Sequence, residues 1–233
     1  MHRQINRGLQ TCHLTPVQAS CFMNDEPQTS KELDVHFGPD GPVAVAQRFF
    51  EALYRDRNLR AAYKVMTPEL RRDRTDAWVE LNAAHPELAK LDREALAERL
   101  AEPEPDDPLW SAFEASSLQD FVAAYSSIDL DAYGYASRPR PIAVDQELVL
   151  LVKGDPNTPR TFDRPTLISG AQFAVEHRDG RWLVAGFSRA YSPSEMLEQG
   201  HTREGIVKQL TADGMDATQA EEVFDRSLEE EDD

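Results

Sequence analysis

The chain reads as an α+β protein, with helices packed on an antiparallel sheet and a further helix pair at the C-terminus. Three observations predict this. Apolar residues recur at helical spacing from 42 to about 125, alternate with a period of two from about 133 to 188, and return to helical spacing after 200. A block of helices followed by adjacent antiparallel strands belongs to the α+β class. The length, 233 residues, suits one domain of middling size with tails.

Residues 1–38 are read as an extension that lacks helical or strand periodicity. Its first 22 residues hold Arg3, Arg7, Cys12 and Cys21 but no acid and no apolar block of a signal peptide, so secretion is not indicated and a cytoplasmic location is expected. Met23 opens the polar stretch Met23-Asn24-Asp25-Glu26-Pro27, and the working chain is expected to start there. Such a chain has no cysteine, which would exclude disulfides, thiolate nucleophiles and zinc–thiolate sites together.

Asp40-Gly41-Pro42 starts the first helix, with proline in its first turn and Val43, Val45, Ala46, Phe49, Phe50 and Leu53 on its apolar side. Arg55 and Arg57 stand at its negative end. A short helix over 59–66 follows. Thr67-Pro68 pairs an N-cap hydroxyl with a proline at N1 and opens a third helix, with Leu70, Ala77, Trp78 and Leu81 inward, ending before Pro86. Residues 92–100 are also helical, and the acidic proline-rich run 102–108 is a surface loop. Helix restarts at Asp107-Pro108 and carries Leu109, Trp110, Phe113, Phe121, Val122 and Tyr125.

One strand is predicted over 142–152, with Ile142, Val144, Gln146, Leu148, Leu150 and Val152 on one face and Ala143, Asp145, Glu147, Val149 and Leu151 on the other. A turn over 153–160 leads to a second strand over 166–177. Asp179-Gly180 supplies the positive φ angles of a type I′ hairpin, and 182–187 returns as the third strand. Residues 193–228 form a separate helical segment. Its first helix spans 202–210 and is closed by Gly214. Its second opens on Asp216 with Gln219 three residues on and bears Ala220, Val223, Phe224 and Leu228. Residues 229–233 are a solvated acidic tail.

Three of these patterns together resemble the NTF2-like (SnoaL-like, cystatin-like cone) superfamily. They are the opening helix over 42–53, the turn into Met66-Thr67-Pro68-Glu69-Leu70, and the closing hairpin over 179–187. The likeness covers about 42–190, within a domain expected over 39–192. It implies helices packed into the concave face of a curved sheet around a cone-shaped pocket, commonly in a homodimer paired through the open sheet face. Trp78, Pro108-Leu109-Trp110, Tyr133-Gly134-Tyr135 and Arg138-Pro139-Arg140-Pro141 resemble more closely a family of actinobacterial-type proteins, from which no activity carries over. The helix-rich stretch 80–126 and the count of three strands depart from the usual cone. The scaffold itself does not settle function.

Composition narrows the classes. Formal charge is −17, from 42 acids against 25 bases, which disfavours nucleic acid and anionic lipid. No stretch approaches the roughly 18 apolar residues of a spanning helix. The histidines His2, His13, His36, His85, His177 and His201 show no metal-ligand spacing, and no metal or cofactor is expected.

Two readings of the pocket stay open. If the face bearing Asp145 and Glu147 is the covered one, they form a carboxylate pair walled by Tyr54, Tyr63 and Trp78. A buried carboxylate with raised pKa would then serve as general base, as an Asp does in members of the superfamily, with a tyrosine as oxyanion donor. If that face is wet, Leu148, Leu150 and Val152 fill the core and the tyrosines are packing. The expected function is a binding or protein-interaction domain with no catalytic motif, with a second copy of the chain or a small apolar ligand as its partner. The alternative is a cofactor-free isomerase, cyclase, dehydratase or hydrolase.

Overall fold

The computed structural model describes residues 38–136, 139–154 and 166–231. The extension with its two cysteines, Arg138, most of the 153–160 turn and the end of the acidic tail lie outside the described residues. Those residues carry eight α-helices and a five-stranded antiparallel sheet that is not closed.

Helix α1 spans Pro42–Tyr54 and buries Val43, Val45, Ala46, Phe49, Phe50 and Leu53, the stripe its spacing predicts. Helix α2, Leu59–Tyr63, is capped by Asn58, whose side chain accepts from the Ala61 amide. It stops short of the expected 66 because the sheet captures the chain. The Val184 amide donates to the Val65 carbonyl at 2.7 Å, and the Thr67 amide donates to the Val184 carbonyl at 2.9 Å. Those bonds replace helical ones and place Met66 beside Val184 in a parallel bridge.

Helix α3, Pro68–Leu81, opens on Thr67, whose hydroxyl accepts from the Leu70 amide at 3.2 Å. Leu70 and Trp78 face inward as expected, but Ala77 and Leu81 are exposed, Leu81 by 77%. The buried stripe runs instead through Arg71, Thr75 and Val79. Apolar periodicity passes over polar residues, yet these meet α4, Arg93–Ala101, by hydrogen bonds. The Thr75 hydroxyl donates to the Ala97 carbonyl at 3.0 Å, and Arg71 Nε donates to the Ala101 carbonyl at 2.8 Å. A polar group whose bonds are met is tolerated in a core. Helix α5 spans Trp110–Ala124.

Strands β1 (Tyr133–Tyr135) and β2 (Arg140–Ala143) lie end to end along one edge of β3 (Gln146–Lys153). Strands β4 (Gly170–Arg178) and β5 (Arg181–Ala190) complete an antiparallel meander. The single strand expected over 142–152 is therefore a hairpin. Val144 and Asp145 form its turn, Ala143 pairs with Gln146, and Val144 is 99% exposed. No Asn-Gly or Asp-Gly announces this turn, and the two-residue link is accompanied by a register shift between Pro141 and Ala143. Strand β4 also begins later than the expected 166, because Leu167 and Ser169 are engaged elsewhere and tight pairing starts at a glycine. A Cβ on Gly170 would stand 2.0 Å from the Leu151 carbonyl oxygen. At the other end of β4, Asp179 (φ 53) and Gly180 (φ 76) make the predicted tight turn.

The helices cover one face of the sheet. Val149, Leu151, Phe173, Val175 and Val184 point into the core they share with α1–α5. Leu148, Leu150 and Val152 do not fill that core. They form a small second cluster with Ala136 on the opposite face, with Ile142 and Ile168 packed against it. The face carrying Glu147 is thus the helix-covered one.

Helix α6 (Pro193–Glu198), which the periodicity reading passed over, opens with a capping box between Ser192 and Glu195. Helices α7 (Arg203–Ala212) and α8 (Ala217–Glu231) pack on each other through Ile206, Leu210, Ala220, Val223 and Phe224. The pair rests on Leu167 and Met196 of its own chain, and the Leu167 amide donates to Ser227 Oγ at 2.9 Å.

Candidate functional site

The structure scatters the residues expected to form a carboxylate site. Asp145 lies in the exposed hairpin turn, off the strand, and its backbone carbonyl accepts from the His177 amide at 2.8 Å. Glu147 is half-buried on β3, in register with Val175. With the turn between β2 and β3 interrupting the alternation, the two acids do not share a strand face. Tyr54 donates its hydroxyl to the Ile128 carbonyl at 2.7 Å and stacks on Phe50 at 5.3 Å, so both its ring and its hydroxyl are engaged in packing. Tyr63 and Trp78 do come together, each against Phe113, at 6.2 and 5.5 Å between ring centroids.

Around Tyr63 the structure assembles a group of hydrogen-bond donors. Tyr63 closes α2 and is fully buried, and its hydroxyl has no hydrogen-bond partner. Trp110 opens α5 with its ring 5.1 Å from that of Tyr63, and its indole Nε1 is likewise buried without a partner. Arg60 lies over this indole, its guanidinium 4.9 Å from the ring centroid and donating to the Pro105 carbonyl at 2.9 Å. Burial pushes the Tyr63 hydroxyl well above the usual phenol range, while the charges of Arg74 and Arg71 pull it back. At ordinary pH it is therefore a neutral phenol and a donor.

Arg71 sits on the buried stripe of α3, and Arg74 follows one turn on. Arg71 bridges two helix ends and the bridge to β5, donating to the carbonyls of Tyr63 (3.2 Å), Ala101 (2.8 Å) and Met66 (2.9 Å). All three acceptors are neutral. Arg74 is half-buried, with its guanidinium 5.3 Å from the centroid of the Phe187 ring and no carboxylate partner among the described residues. Its charge also reaches Tyr125, whose hydroxyl is raised by burial and pulled back by Arg189 and Arg74. Phe187 packs on Phe121 at 5.8 Å, and Phe121 on Tyr125 at 4.5 Å. The cluster of Tyr63, Trp110 and Phe113 thus presents buried phenol and indole donors amid aromatic rings, which suits an acceptor oxygen on an apolar body.

A second polar cluster contrasts with it. Arg189, 4% exposed, donates to Glu195 (2.8 Å), Ser127 (3.0 Å), Ser169 (3.1 Å) and the carbonyls of Gly170 and Ala190. Tyr133 and Ser169 share a further bond at 3.1 Å. These contacts tie the ends of β4, β5 and β1 to α6, although Arg189 Nε is itself buried without a hydrogen-bond partner.

Among the described residues no group of three or more His, Cys, Asp or Glu is placed to hold a metal ion, and no helix is long and apolar enough to cross a membrane. Comparison of the chain with protein-family models, curated proteins and solved structures gives no match. Sequence reasoning named Tyr63 but passed over Arg74, and it read Trp110 and Tyr125 only as residues of the helix restarted at Asp107-Pro108. The available signal was Leu70-Arg71-Arg72-Asp73-Arg74-Thr75, in which two arginines fall on the stripe of Leu70 and Trp78.

Proposed function

We propose that the protein is an NTF2-like binding domain that holds a small, largely apolar ligand between its helices and the inner face of its sheet. One observation carries this reading: Tyr63 Oη and Trp110 Nε1 are buried donors without an acceptor. Each such group costs about 1–3 kcal/mol, and native structures hold few of them. A ligand oxygen would meet that need. The arrangement of α1–α5 on one face of an antiparallel meander supports the cone-like scaffold, and the aromatic lining supports an apolar ligand. The catalytic alternative would need a carboxylate beside Tyr63, whereas the charges acting on its hydroxyl are those of Arg74 and Arg71. Binding is the reading favoured.

Thermal-shift and intrinsic-fluorescence titrations with octanoic acid, phenylacetic acid, their amides and the matching alcohols test the proposal. Binding by at least one of them that is lost in Trp110→Phe is the expected result. Absence of binding throughout the panel would remove the reading. A homodimer belongs to the same proposal, and sedimentation equilibrium at the monomer mass would remove that part alone.

A further inference from the structure

We infer that residues 102–108 are a strap that closes the Tyr63–Trp110 site, latched by Arg60, and that release of this latch opens the way to the buried donors. The inference rests on the binding reading above and adds the route by which a ligand enters.

Anchorage is the first ground. Both ends of the strap are fixed. Before it, the Ala101 carbonyl at the end of α4 accepts from Arg71 Nε at 2.8 Å. At its far end one carboxylate oxygen of Asp107 accepts from Arg99 Nε at 2.9 Å and the other from the Leu109 amide at 2.8 Å. The Asp107 carbonyl also accepts from the Trp110 amide at 3.0 Å. Between these anchors the chain is scarcely tied. Pro103 and Pro105 have no amide hydrogen to give, and Glu104 and Asp106 make no hydrogen bond to a described residue. Among the described residues the middle is held by Arg60, whose Nη1 donates to the Pro105 carbonyl at 2.9 Å. A segment with so few bonds lies at the low-stability end of a fold and opens locally.

Position is the second ground. The strap runs directly into Trp110, the first residue of α5. Arg60 and Tyr63 lie three apart on α2 and so share one side of that helix. Both meet the Trp110 ring, the Arg60 guanidinium at 4.9 Å and the Tyr63 ring at 5.1 Å from its centroid. Arg60 is exposed and Tyr63 is fully buried. Solvent at Arg60 therefore stands one aromatic ring away from the buried phenol.

The burial pattern of the strap is the third ground. Pro105 is buried, while Glu102, Pro103, Glu104 and Asp106 around it are exposed. One apolar ring turned inward among residues already in water can leave its place while exposing little further surface. Arg60 holds the carbonyl of that same proline and lies on the indole, so one guanidinium fastens the strap to the site.

Exchange of the Trp110 indole N–H with water, followed in nitrogen-15 spectra of the full chain, tests this. No hydrogen bond among the described residues protects that group, so its exchange reports access. Arg60→Ala is expected to quicken the exchange about tenfold, the scale of one lost hydrogen bond to a charged group, with Arg60→Lys in between. The Phe173 amide, in the middle of β4, should keep its parent rate in both variants, which separates release of the strap from general loosening. Association and dissociation of octanoate, read by stopped-flow fluorescence, should both quicken in Arg60→Ala. Indole exchange that is unchanged in Arg60→Ala, or that rises in proportion to exchange of the Phe173 amide, would overturn the inference and leave the binding reading intact, as would unaltered octanoate rates. Failure of every ligand in the panel to bind would overturn the binding reading, and the exchange comparison would still decide the strap. Circular-dichroism melting verifies that each variant is folded, and Arg60→Lys carries the comparison if Arg60→Ala is not.

Discussion

Arg71 and Tyr63 illustrate opposite treatments of a buried polar side chain. Two bonds of Arg71 supply partners that helix ends lack, the Ala101 carbonyl closing α4 and the Tyr63 carbonyl closing α2, and the third goes to the Met66 carbonyl where the chain meets β5. Replacing Arg71 by Met leaves these acceptors facing an apolar chain, and a loss of about 3 kcal/mol or more in urea unfolding is expected. Tyr63 contributes a hydroxyl that nothing within the described residues satisfies. Tyr63→Phe should therefore leave the ligand-free protein at least as stable as the parent, with a gain of up to about 1–2 kcal/mol. A loss of similar size would mean that the hydroxyl is satisfied after all. At this scale the sequence was least legible. Hydrophobic spacing finds the stripe of α3 through Leu70 and Trp78 but is blind to Arg71 and Thr75, which are admitted by hydrogen bonds to residues distant in the chain, and to Arg74, which lies over the Phe187 ring.

Elements were legible where local chemistry decides them. Thr67-Pro68, Asp179-Gly180 and the Asp216 cap each act through bonds or φ angles within four residues, and each stands as read. The hairpin at Val144-Asp145 was hidden because alternation runs unbroken through a two-residue turn that contains no glycine. The early end of α2 was hidden because it depends on Val184, more than a hundred residues away. Gly170 marks a close approach of β4 to β3, and Gly170→Ala should destabilise the fold by about 2 kcal/mol or more, since the obstructing atom is a backbone oxygen. Calorimetric melting measures this, and an unchanged midpoint would refute the tight pairing. Glu69 on α3 holds Arg178 at the β4–β5 hairpin through two bonds of 2.9 Å, and Arg178 holds its carboxyl below the usual range. A depressed folded pKa means the stabilisation is present above the unfolded value of about 4.3 and lost as pH falls through the folded value. The melting difference between parent and Glu69→Gln should thus be present at neutral pH, small for so exposed a pair, and vanish in acid.

For the whole molecule, the order of periodicities was enough to give the α+β class, since a run of helices followed by adjacent strands leaves few other arrangements. It could not say which face of the sheet the helices cover, because β3 is apolar on both: Val149 and Leu151 on one, Leu148, Leu150 and Val152 on the other. The C-terminal pair has its own apolar cluster and meets the rest through Leu167, Met196 and the Ser227 hydroxyl. Removing residues 200–233 should lower the melting temperature by a few degrees through exposure of Leu167 and Met196, and leave the main core cooperative. Loss of all cooperative unfolding would show instead that the pair is integral to that core. The central claim is that a ligand oxygen completes the buried donors between α2, α3 and α5. The Trp110 indole N–H reports on it directly in a nitrogen-15 spectrum, its signal assigned by its absence in Trp110→Phe. Titration with octanoate should move the Trp110 indole signal and leave that of Trp182 in place. A saturating titration in which the Trp110 signal stays still would contradict the account.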